Sequence, residues 1–120
     1  MWPFDGAKRD VGQASAKSAY DKAVDAANED GMEMAGTFGQ ATGHWAGKEI
    51  LIQKRDGNIA EISIIVEEGS PLFPSIDMYV RTNWRGKVES SPAEGFVSIL
   101  ASEDGVGGAL AVIKKGAEIK

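Results

Sequence analysis

From position 48 to 67 apolar and polar residues alternate with a period of two, interrupted once at Asp56-Gly57-Asn58. Alternation sends successive side chains to opposite sides of an extended chain, so two strands joined by a hairpin are expected over 48–55 and 59–67. The faces set the register. A two-residue Asp-Gly loop pairs Ile52 with Glu61 and Ile50 with Ser63, mixing the sides. A three-residue loop pairs Ile52 with Ile62 and Ile50 with Ile64 and keeps the isoleucines together. A slip of one residue turns every side chain over, so the three-residue loop is expected. Asn58 then takes a left-handed conformation, which asparagine tolerates better than most residues.

Nearer the N-terminus the period is helical. Ala16, Tyr20, Ala23, Val24 and Ala27 form one stripe, with Lys17, Asp21, Lys22 and Asp25 largely elsewhere. A helix is expected over 11–30, with Asp10 as its cap, Gln13 at capping-box spacing and Gly31 at its stop. Its stripe is mostly alanine, so it can approach closely but buries little area per residue. It should lean on a sheet built elsewhere.

The remaining segments complete the outline. Met32, Met34 and Phe38 alternate with polar or small residues and suggest a first strand. EEGSPLFPS is too rich in proline to continue a sheet. Alternation resumes over 76–84, putting Met78, Val80 and Trp84 on one face and Tyr79, Arg81, Asn83 and Arg85 on the other. GKVESSPAEG is expected to be a polar connection, and 96–101 and 109–113 are the last two strands, joined by SEDGVGG. The fold class is therefore α+β, with one N-terminal helix on one face of a five- or six-stranded, mainly antiparallel sheet. The 120 residues suit a single domain, 1–120, in which residues 1–10 form an arm packing the rings of Trp2 and Phe4 on the body.

Composition narrows the function classes. Eighteen acids against thirteen bases give net −5, which argues against general affinity for nucleic acid or anionic membrane. Without cysteine there is no disulfide, thiol nucleophile or thiolate metal site, and a reducing, cytoplasmic setting is expected. Neither a signal-peptide core nor a run of ~20 apolar residues is seen.

The chemical candidates weaken one by one. GHWAGK, residues 43–48, holds the only histidine and a Gly-Lys pair. A phosphate loop needs four residues between its first glycine and Gly-Lys, then Ser or Thr, and it opens a helix. Here three residues intervene, Glu49 follows Lys48, and the chain runs into a strand. His44 has no second histidine or cysteine with which to bind a metal. No G-x-S-x-G elbow supplies a nucleophile. Glu67-Glu68 and Glu103-Asp104 adjoin glycines at strand ends, where acids keep turns in water. GVGGALAV misses the dinucleotide spacing, and Pro71-Leu72-Phe73-Pro74 is a short P-x-x-P match. No cofactor and no metal site is expected.

One surface remains. Tyrosine, arginine and asparagine carry contact energy at protein interfaces. Were the helix to cover the isoleucine side, the other side could present Leu51 and Ile65 with Tyr79, Arg81, Asn83 and Arg85. The expected function is that of a small acidic non-enzymatic binding protein, an inhibitor, adaptor or immunity-type module, meeting another protein through a sheet face or edge. The alternative is a ligand-binding or hydrolase-like domain using His44 with nearby carboxylates. Homodimerisation through the mixed face is a third expectation.

Overall fold

The computed structural model describes residues 17–120. The chain runs α1 (Ala19–Glu29), β1 (Ala35–Thr37), β2 (Gln40–Trp45), β3 (Lys48–Arg55), β4 (Ile59–Ile65), α2 (Phe73–Asn83), β5 (Val88–Ser91), β6 (Phe96–Ser102), α3 (Val106–Ala117). All strand pairs are antiparallel, in the order β1-β2-β3-β4-β6-β5. The class is α+β, as expected, but with three helices rather than one among the described residues.

The central hairpin has the expected register. Ile50 faces Ile64 and Ile52 faces Ile62 across a three-residue loop, and Asn58 sits at φ 57°. β6 continues the ladder on the far side of β4, with Val97 opposite Ile64 and Ile99 opposite Ile62. Those six side chains are fully buried. All three helices lie over them: α1 on β3 and β4, α3 on β4 and β6, and α2 beside α3 above β5 and β6.

α1 begins later than expected. Ser18 is extended (φ −67°, ψ 164°) and its Oγ accepts the Asp21 N–H at 3.0 Å, so a hydroxyl caps the helix there. The expected arm of residues 1–10, with the Asp10 cap, and residues 11–16 lie outside the described residues. At the other end Gly31 (φ 93°) allows the Met32 N–H to reach back to the Ala27 carbonyl at 3.0 Å, closing the helix as foreseen. Ala19, Ala23 and Ala27 are wholly buried, the close approach an alanine stripe permits.

Three strand expectations are corrected. Met32 to Phe38 is not one strand: Glu33 is left-handed (φ 55°), and the Met34 N–H is taken by Asn28 Oδ1 at 2.6 Å. Extended pairing starts only at Ala35. After Phe38, Gly39 (φ 72°) turns the chain into β2. Second, 76–83 belongs to a helix, with Trp84 as its extended C-cap. Phe73, Ile76 and Val80 are its buried residues, spaced three and four apart, and Pro74 sits in the first turn where no N–H is needed. Third, 109–113 lies inside α3, whose buried Val106, Ala109, Leu110, Ile113 and Ala117 follow a helical stripe. A five-residue apolar run looks the same in either structure, and only the longer window separates them. The segment expected to be a polar connection contains β5, the short edge strand.

Candidate functional site

GHWAGK resolves into a hairpin. Ala46 (φ 53°) and Gly47 (φ 80°) form a two-residue turn with both φ positive, the type whose twist suits two antiparallel strands. Gly43 is required by close approach, since a Cβ there would stand 2.8 Å from the Met32 carbonyl oxygen. Lys48 Nζ donates to the carbonyls of Ala117 (2.6 Å) and Ile119 (3.0 Å), satisfying acceptors at the C-terminal end of α3, where a cation is also favoured by the helix dipole. Trp45 Nε1 donates to Glu118 Oε2 at 2.9 Å, and Lys114 Nζ stands 4.8 Å from the centre of the Trp45 ring. Lys114 also bonds Asp30 at 3.1 Å. The stretch that looked like a phosphate loop thus clasps the end of α3. His44 is exposed and points to the other side of the sheet, with Glu49 as its cross-strand neighbour. Among the described residues no three His, Asp or Glu side chains converge as metal ligands. No described helix is long and apolar enough to cross a membrane.

The six residues singled out by sequence fall into two groups on opposite layers. Leu51 and Ile65 lie half-buried on the sheet side away from the helices, as the register required. Their row-mates are Ser63, hydrogen-bonded to Ser98 at 2.6 Å in a buried pair, and Phe96 and Leu100 on β6. Glu61 is 5% exposed on this face, and its carboxylate is held by Arg55. Among the described residues no element covers these side chains.

Tyr79, Arg81, Asn83 and Arg85 lie on α2 or just beyond it, in the helical layer. The row expected of a strand therefore does not exist. Tyr79 packs towards α3, 3.8 Å from where a Cβ on Gly116 would stand. Asn83 Nδ2 donates to the Tyr79 carbonyl at 2.8 Å. Arg81 turns the other way, donating from Nε to Asp77 at 3.0 Å and from Nη2 to Ser90 on β5 at 2.8 Å. Arg85 is exposed.

Tyr79 and Asn83 line a groove of about 620 Å³ with Pro74, Ser75, Met78, Thr82 and Ile119. No charged side chain is among them. Met78 is 66% exposed, against full burial for its helix neighbours Ile76 and Val80. Met78, Pro74 and Ile119 were missed in the sequence because a strand reading placed Met78 on the inner face beside Val80. The three-and-four spacing of Phe73, Ile76 and Val80 held the signal that puts it outside.

No protein-family model matches the chain, and no curated protein or solved structure matches it either. The site must be read from its own geometry.

Proposed function

We propose that this is a small non-enzymatic binding protein that takes an apolar segment of another protein into the groove beside α2. The single observation behind this reading is Met78. A large apolar side chain left 66% exposed beside an uncharged concavity forgoes burial that a partner could supply. Methionine is unbranched and polarisable, so it adapts to partner shapes, while Tyr79 and Asn83 provide a rigid ring and a polar rim. The cysteine-free composition supports a reducing, cytoplasmic setting for that encounter.

The test places a photo-crosslinking residue at Met78 in the native cell and identifies what is trapped. A discrete partner is expected, and Met78→Glu should lose it while the melting temperature stays unchanged, because the side chain supports little of the core. The same proteins trapped at Met78 and at a control position on α1 would sink the reading.

A further inference from the structure

We infer that Met78 is a redox-sensitive modification site, and that oxidation of its thioether to the sulfoxide closes the α2 groove to an apolar segment. Closure of the groove rests on the binding role proposed above, whereas the oxidation itself rests on the methionines alone.

Two-electron sulfur chemistry in this chain belongs to methionine, because there is no cysteine to compete for an oxidant. The described methionines are not equivalent. Met32 is 4% exposed within the core. Met34 is half-buried, and its Sδ lies over Gly43, where a Cβ would stand 2.5 Å from it. Met78 is 66% exposed. Met1 lies outside the described residues. A peroxide must reach the sulfur lone pair, so among the described methionines Met78 reacts first.

The step balances with a peroxide as oxidant. Sδ gives two electrons to one peroxide oxygen, the O–O bond breaks and an S–O bond forms. The hydroxide left behind takes the proton of the transferred oxygen and leaves as water. Reversal removes the sulfoxide oxygen as water, with two electrons from a pair of thiols. The chain has none, so an external thiol-dependent methionine sulfoxide reductase supplies them.

Position makes this one atom decisive for the groove. Pro74, Met78 and Thr82 follow at four-residue intervals along α2, with Ser75, Tyr79 and Asn83 in the row alongside. Met78 is the middle residue of its row, and Ile119, just past α3, completes the lining. The thioether offers an apolar partner a flexible surface to bury. A sulfoxide sets a polar S–O bond in the same place, and its bound water must be stripped before that partner can dock. The fold is not at risk, since Met78 supports little of the core; the same oxygen on Met32 would enter it. The groove therefore changes while its scaffold holds.

The test oxidises the full chain with hydrogen peroxide, stops the reaction with catalase and follows each methionine by peptide mass spectrometry. Met78 should gain one oxygen about tenfold faster than Met32 and Met34, and the rates should converge in concentrated urea. Circular dichroism and the melting temperature should not change. A photo-crosslinking residue at Thr82 then reads the groove in a cell lysate free of thiol reductants. Trapping should fall about tenfold in proportion to the fraction of Met78 oxidised, and reductase treatment should restore it. Equal oxidation rates in the folded chain overturn the inference. So does trapping that stays unchanged on oxidation, or that follows another methionine. An untreated chain that traps nothing sinks the binding role and the switch with it, whereas a partner held equally before and after oxidation sinks the switch alone.

Discussion

The two sides of one strand, β4, are buried in different ways. Ala60, Ile62 and Ile64 point under the helices and are wholly buried by a second layer. Glu61 and Ser63 point the other way and are 5% and 3% exposed, with no second layer over them among the described residues. They are enclosed sideways, by Arg55, Leu51, Leu100 and the neighbouring serine of β6. On the first side stability comes from apolar area removed from water. On the second it comes from polar groups satisfying one another, where the net gain is small and the penalty for leaving one partner unpaired is large. Low exposure alone therefore does not identify a core. What covers the residue determines what its removal costs.

The sharpest way to break this comparison is truncation on the two sides. Ile62→Ala should cost about 2–5 kcal/mol, through lost transfer energy plus a cavity under the helices. Leu51→Ala, half-buried on the uncovered side, should cost about 1 kcal/mol. Denaturant unfolding at low protein concentration measures both, and equal costs would mean that the two sides are equally covered.

A smaller effect sharpens the account of the polar side. Ser63→Ala strands the Ser98 hydroxyl in a buried place and should cost about 1–3 kcal/mol. Removing both hydroxyls together should bring stability back near the wild type. Two single losses that simply add in the double variant would contradict a reciprocal bond.

The smallest effect lies at alkaline pH. Burial, with a lesser contribution from the Asp21 carboxylate, raises the Tyr20 phenol above its ordinary 10.0. The fold thus holds this proton more tightly than the unfolded chain does. Its contribution is whole below pH 10 and is lost as pH rises through the higher folded value. Lys17 is raised above 10.5 by its hydrogen bond to Asp25 and acts in the same direction. Tyr20→Phe should flatten part of the decline in melting temperature above pH 10. A decline as steep as that of the wild type would remove Tyr20 from the account.

Legibility in the sequence followed the length of the repeat. The register of the 48–67 hairpin was readable, because seven pairs had to agree on which face was apolar and one slip would spoil them all, although its second strand ends at Ile65, two residues short of the expected bound. The stripe of α1 was readable for the same reason at Ala23 and Ala27, while the buried Ala19 of its first turn was not in the expected stripe. α2 was not. Met78, Val80 and Trp84 mimic a period of two, and the prolines before them read as a stop, although the first helical turn accommodates proline. Four of the six residues expected at an interface were thereby assigned to a sheet face they do not occupy, while Leu51 and Ile65 lie on the expected side of the sheet. The apolar groove was invisible, because it joins Pro74 and Met78 to Ile119, some forty residues away along the chain.

By itself, then, the sequence determined the class, the central hairpin, its register and the face that helices would seek. Those properties depend on periodicities repeated often enough for backbone geometry to leave one answer. Only the tertiary structure decided that Lys48 ends a helix, and that Ile119 arrives beside Met78. Both depend on which distant carbonyl or side chain arrives alongside, and no local pattern encodes that arrival.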